Sequence, residues 1–315
     1  MAPVGDIPAA EWPIDEHLVR RLIGQQRPEW AELPIAELGH GWDNVLYRLG
    51  DDLLVRLPRR ALAVPLIAHE RDWLPVLAPR LNTFVPAAVH AGTPSADFPH
   101  PWLISPYRDG IRCADVGIAQ RTPSATDLAE TLVALHTTAP ADAPVNPWRG
   151  GPIGGDVMSQ RVATRLASYN RASEDLAARW AAWSAAPAWD GPPVWLHGDL
   201  HPLNLLLADS GRLAGVLDWG DVGCGDPATD LATAWLSYDQ AGRRRFVAAA
   251  SAGPYDPHVW TRARAWALYL ALAFVTNSDD SPPLLAVAHQ ALDSLAAEPL
   301  DVGEPPRRRP NILSS

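Results

Sequence analysis

Between Leu196 and Trp219 the chain reads LHGDLHPLNLLL, a turn at Asp209-Ser210-Gly211, then LAGVLDW. Asp199, Asn204 and Asp218 are the residues of this passage whose side chains could do chemistry. Two short apolar runs about an Asp-Ser-Gly turn make a β-hairpin, and pairing across it puts Asn204 within a rung or two of Asp218. An amide oxygen and a carboxylate at that separation suit Mg²⁺, which takes one or two protein oxygens and fills its remaining positions with water and substrate phosphates. Asp199 precedes Asn204 on the loop entering the hairpin, where a carboxylate can accept a hydroxyl proton beside the metal without binding it. Base, ligand, ligand is the order found in kinases.

His197 and His201 flank Asp199 as HxDxH, which also invites a metal-dependent hydrolase. A tetrahedral site would need further ligands at matching spacing, and none is evident nearby. His197 is therefore expected to fix the backbone, with His201 and Asp221 unassigned. Asp226 and Asp230 are expected to cap and orient the helix that follows.

The elements that must position these groups fall into two sets. Leu33 to Leu38, Val45 to Leu49 and Leu53 to Leu57, separated by Gly39–Asn44 and Gly50-Asp51-Asp52, predict an antiparallel meander. A helix is expected from Val64 to Leu77 and a buried strand from Trp102 to Tyr107. From Ser124 onward the periodicity is helical: an N-cap signal at Ser124 and Asp127, then helices over Val157–Ala186, Asp226–Leu236, Ala241–Ala250, Pro257–Val275 and Pro282–Ala296. The expectation is an α+β, bilobal chain, with a β-rich lobe over residues 1–107 and a helical lobe over 108–297. Residues 298–315, rich in Pro with Arg307-Arg308-Arg309, read as a disordered tail.

Composition narrows the functional classes. A chain of 315 residues with 47% hydrophobic residues has the apolar material for two packed lobes. A net charge of −10 argues against wrapping nucleic acid or coating an anionic membrane, and is compatible with a cationic small-molecule acceptor. Cys113 and Cys224 form neither a CxxC nor a Cys/His cluster, which suits a reducing cytoplasm. The start of the chain shows no secretory pattern, and the longest apolar run, Ala265–Val275, is too short to span a bilayer. All basic residues are arginine; without lysine, a Walker A loop and Schiff-base chemistry are excluded.

The passages His197–Asn204 and Asp218–Leu231 meet the patterns HGDxHxxN and DWxDxGxGDPxxDL. On these residues the chain resembles the aminoglycoside phosphotransferase family of kinase-like small-molecule phosphotransferases. That resemblance implies a protein-kinase-like fold, ATP or GTP as phosphoryl donor, Mg²⁺, and transfer to a hydroxyl of a small, often antibiotic, acceptor. Asp199 would be the catalytic base, and Asn204 and Asp218 the metal ligands. In the first lobe, Gly39-x-Gly41-x-x-Asn44 would place backbone against phosphates. Arg56 takes the place of the family's phosphate-anchoring lysine, with Glu70 as its ion-pair partner. Pro106, through its carbonyl, and Arg108, as donor, would form the hinge that reads the nucleotide base. Leu203 replaces a glycine common in the family.

Overall fold

The computed structural model describes residues 9–171, 173–278 and 281–299. The first lobe contains α1 (Glu16–Gln26), β1 (Ile35–His40), β2 (Asn44–Leu49), β3 (Leu53–Pro58), α2 (Val64–Leu77), β4 (His90–Gly92) and β5 (Trp102–Pro106). Its five strands form one antiparallel sheet in the order β1-β2-β3-β5-β4. The expected meander and α2 are present. Helix α1 was not foreseen: Asp15 accepts from the Leu18 N–H at 2.8 Å, and Leu18, Val19, Leu22 and Ile23 pack into the core made by the sheet. The acidic, Pro-rich start of the chain concealed that apolar stripe.

After the crossing at residues 107–110 come β6 (Ile111–Arg112), α3 (Ala125–Leu135), α4 (Asp156–Ser168), α5 (Glu174–Ser184), β7 (Val194–Leu196), β8 (Leu205–Leu207), β9 (Leu213–Val216) and β10 (Gly223–Gly225). Then follow α6 (Ala228–Leu231), α7 (Thr233–Ser237), α8 (Gln240–Ala250), α9 (Val259–Asn277) and α10 (Pro282–Ala296). Helix α9 is the axis of this lobe, its residues from Ala265 to Leu272 all buried among α4, α5, α6, α7 and α10. A helix apolar on every side has no stable place except such a core. No helix among the described residues is long and apolar enough to cross a membrane.

Two expected helices are interrupted. Val157–Ala186 is two helices, because the chain turns extended at Tyr169 and Ser173 restarts it by accepting from the Leu176 N–H. Asp226–Leu236 is α6 followed by α7. Most of the expected tail lies outside the described residues, but Glu298, assigned to it, is anchored to Arg243 at 2.8 Å, Arg264 at 3.4 Å and the Trp235 indole at 3.2 Å.

Candidate active site

The segment between β7 and β8 turns sharply at Gly198, whose φ of +88° places it where an added Cβ would stand 2.5 Å from the Asp221 carbonyl oxygen. The turn hangs on a buried carboxylate far along the chain: Asp230 accepts from the His197 N–H at 2.8 Å and the Gly198 N–H at 2.9 Å. His136 lies 3.2 Å from the same Asp230. Asp230 therefore orients the catalytic turn rather than capping a helix, which corrects the sequence expectation. Asp226 does cap, accepting from the Ala228 N–H at 3.0 Å, and it pairs with the buried Arg262 at 2.6 Å. His197 fixes backbone as expected, its Nε2 lying 2.9 Å from the Leu217 carbonyl.

Both carboxylate oxygens of Asp199 have partners. Arg149 Nη2 is 3.3 Å from Oδ1 and His201 Nε2 is 3.3 Å from Oδ2, while Arg149 Nε donates to the Gly198 carbonyl at 2.8 Å. Burial resists ionisation, but His201 and Arg149 outweigh it and hold the carboxyl well below the usual carboxylate range. Asp221 moves the other way: burial and the charge of Asp199 push it up, and Asn146 donates to it at 2.6 Å. The HxDxH arrangement is not a metal cluster. His201 turns to Asp199, and no group of three His, Cys, Asp or Glu side chains among the described residues is placed to hold an ion. Arg149 was missed by sequence reasoning, since nothing in Trp148-Arg149-Gly150 marks an arginine that folds back over a loop near residue 199.

Asn204 gives its amide nitrogen to the Asp199 carbonyl at 2.9 Å, which leaves Oδ1 as the oxygen able to bind a ligand. Its own carbonyl accepts from the Leu217 N–H at 2.8 Å, so Asp218 begins one residue beyond the rung that Asn204 occupies. The hairpin register Leu205–Val216 sets this, as the sequence pattern predicted. Asp218 has φ +57°, the one positive value at a non-glycine among the described residues, and its side chain is 55% exposed. A left-handed Asp at a site of this kind is strain that the surrounding fold must impose.

Arg56, on β3, spans two carboxylates. Nη1 is 2.6 Å from Glu70 Oε2 and Nη2 is 2.6 Å from Asp218 Oδ1. The pairing with Glu70 on α2 agrees with expectation; the link to Asp218, across the two lobes, does not follow from spacing. Burial pushes the Glu70 carboxyl up to about 7 against the pull of Arg56, and its Oε1 is buried with no partner.

The glycine turn is held from behind. Gly41 donates to the Asn44 carbonyl at 2.9 Å and accepts from Arg59 at 2.8 Å, while Arg60 pairs with Asp43 at 2.6 Å. An added Cβ at Gly41 would meet nothing within 4 Å, so that side of the turn is open, and Asn44 Oδ1 is buried without a partner. Pro106 closes β5 opposite Leu53, and the neighbouring Tyr107 N–H is taken by the Asp52 carbonyl at 2.6 Å. The Arg108 guanidinium lies over Phe84 at 4.9 Å.

A five-stranded antiparallel lobe and a helical lobe, with Asp199, Asn204 and Asp218 gathered on short segments of the second, make up a kinase-like fold. Solved structures share this fold: the GDP complex of aminoglycoside 2'-phosphotransferase-IIIa superposes with a TM-score of 0.67 at 18% identity, over 90% of this chain and 99% of that one. Macrolide 2'-phosphotransferase MphH from Brachybacterium faecium superposes with a TM-score of 0.60 at 23% identity, over 91% and 99%. The model of the phosphotransferase enzyme family matches residues 34–266, and the chain belongs to that family of small-molecule kinases. An uncharacterized protein of Bacillus subtilis (strain 168), YcbJ, is 30% identical over 272 residues, 73% of this chain and 84% of that protein.

Proposed function

We propose that this protein is a Mg²⁺-dependent O-phosphotransferase that uses ATP or GTP to phosphorylate a hydroxyl of a small, antibiotic-like acceptor in the cytoplasm. One observation carries the reading: a paired but uncoordinated carboxylate, Asp199, is fastened through its own carbonyl to Asn204, which sits one residue short of the rung leading to Asp218. Asn204 Oδ1 and the exposed Asp218 carboxylate are hard oxygen donors, and they fit Mg²⁺. When bound there, Mg²⁺ would neutralise the donor's phosphates.

The chain's residues do the rest. Arg56 holds a phosphate oxygen, Glu70 keeps its fork in place, and Gly41 and Asn44 cover the phosphates from the turn. Pro106 and Arg108 present backbone to the base of the nucleotide. Asp199 receives the acceptor's hydroxyl proton as that oxygen bonds to the γ-phosphorus and the bond to the β–γ bridging oxygen breaks, leaving a phosphate ester and a nucleoside diphosphate. In this assignment residues 1–107 bind the nucleotide and 108–297 carry the catalytic loop and the acceptor site.

The test is ADP or GDP release with Mg²⁺ over a panel of aminoglycosides, cyclic basic peptides, macrolides and amino alcohols. Acceptor-stimulated release that disappears in Asp199→Ala supports the assignment. Nucleotide binding without stimulation by any hydroxyl compound would mark an inactive, nucleotide-binding regulatory protein instead.

A further inference from the structure

From Asp199 a chain of contacts leads to a wall of positive charge laid on aromatic rings. Arg149, which touches Asp199, donates through Nη1 to the Trp148 carbonyl at 3.2 Å. The Trp148 ring is 44% exposed, and the Arg161 guanidinium from α4 stacks on it at 3.8 Å. Arg161 Nη1 reaches the Tyr269 hydroxyl of α9 at 3.4 Å. One turn further along α4, the Arg165 guanidinium lies 4.5 Å over the Tyr269 ring and donates to the Tyr269 carbonyl at 3.3 Å. Helix α9 returns to the catalytic loop at Phe274, whose ring meets His201 at 5.5 Å. Tyr269 and Phe274 are five residues apart, roughly 7.5 Å along a helix axis. The wall is thus tied to the base at both ends, by Arg149 on Asp199 and by Phe274 on His201.

Two of its three arginines have no counter-ion: among the described residues Arg161 and Arg165 make no ion pair, although the chain has 36 acidic residues against 26 basic. Both are half-buried, so each is partly desolvated without a counter-ion. The carboxylates at this end are engaged elsewhere: Asp199 by Arg149 and His201, Asp221 by Asn146. Two guanidinium forks held flat by ring faces leave N–H edges free, which is the arrangement that takes an oxyanion bidentately.

We propose that the acceptor is a hydroxy compound carrying a carboxylate or phosphate group, which Arg161 and Arg165 hold while Trp148 packs against its body and its hydroxyl faces Asp199. This rests on the phosphotransferase reading above and narrows its acceptor. A polycation such as an aminoglycoside would bring its ammonium groups against three arginines. The positive wall makes that costly, whatever the negative sum of the whole chain.

The experiment uses the full chain with Mg²⁺ and a saturating non-hydrolysable ATP or GTP analogue, so that donor-side phosphate sites are filled. Matched hydroxy compounds that differ only in the anionic group are titrated by calorimetry: sugars against their uronic acids and sugar phosphates, with kanamycin as the polycation. The same pairs are then run as acceptors with ATP or GTP. The expected result is binding and stimulated release by anionic members only. Arg161→Gln and Arg165→Gln should each weaken acceptor binding about tenfold or more, with the donor KM unchanged. Equal binding of neutral and anionic members, preference for kanamycin, no binding of any anionic member, or unchanged affinity in both Gln variants each overturns the proposal. If carboxylate and phosphate members differ, the preferred one names the source of the oxyanion. Failure of the nucleotide analogue to bind is a separate result and sinks the phosphotransferase reading itself.

Discussion

Replacing Arg56 by Met removes the cation held 2.6 Å from the buried Glu70. In the native protein burial raises the Glu70 carboxyl from 4.5 to about 7. The folded state therefore keeps a proton that the unfolded state has lost between those values. Stability falls as pH rises through that window and levels off above about 7. Without Arg56 the main pull against burial is gone, the carboxyl moves higher, and the decline continues beyond neutrality. Each further pH unit then costs about 1.4 kcal/mol, or about 3 kcal/mol by pH 9. For a chain of 315 residues unfolding at about 0.7 kcal/mol per kelvin, that is about 2 °C of Tm per pH unit relative to the native protein. Thermal melts of both proteins from pH 6 to 9 measure it. Curves separated by a constant offset below pH 7 that diverge above it are expected; parallel curves from pH 7 to 9 would refute the argument that Arg56 favours the charged form of Glu70. Arg56→Lys separates the two ion pairs. An ammonium cannot span both carboxylates as the fork does, so this variant should keep the native pH curve while losing the link to Asp218.

Other substitutions probe the catalytic turn. Asp199→Asn should lower turnover by about 10³-fold with nucleotide affinity retained, measured by coupled nucleotide release and calorimetry. Because His201 and Arg149 hold the Asp199 carboxyl well below the carboxylate range, the native enzyme's rate should show no loss attributable to this group between pH 8 and 5, and an acid limb near pH 6 that survives in His201→Gln would argue against that base. Asp230→Ala strands the His197 and Gly198 N–H groups, and it should cost about 3–5 kcal/mol in chemical denaturation; a loss under 1 kcal/mol would show that another group anchors the turn. Gly198→Ala must place a Cβ 2.5 Å from the Asp221 carbonyl at positive φ, so activity should fall by about 10²-fold or more while nucleotide still binds.

The grouping of Asp199, Asn204 and Asp218 was legible because they lie within twenty residues of one another around a hairpin whose register the apolar pattern determines. Leu205 opposite Val216 follows from alternation and a turn signal, and Asn204 and Asp218 follow from that pairing. The sheet meander was legible for the same reason: each strand pairs with its sequence neighbour across a short glycine or Asp turn. Helix α1 and the split of α4 from α5 were not, because the first is short and flanked by polar residues, and the second depends on Ser173 restarting a helix inside a continuous Ala- and Arg-rich run.

What escaped the sequence is contact across distance. Asp230 orients a turn more than thirty positions earlier, Arg149 folds onto Asp199 fifty positions later, and Arg56 reaches a carboxylate on the other lobe. Spacing carries information only where the intervening chain is a regular element, and none of these intervals is one. The type of residue at position 56 nevertheless mattered. A lysine there would offer one point charge to Glu70, whereas the planar fork reaches Glu70 and Asp218 together at 2.6 Å each. The guanidinium proposed to meet a donor phosphate therefore also holds Asp218, with its positive φ, to β3. In the proposed assignment a bound triphosphate would have to take Nη2 from Asp218, and that exchange would reduce its free energy of binding. The bridge also joins β3 to the end of the β8–β9 hairpin, so in the proposed assignment a substitution confined to Arg56 would alter the donor contact and this link between the lobes at once.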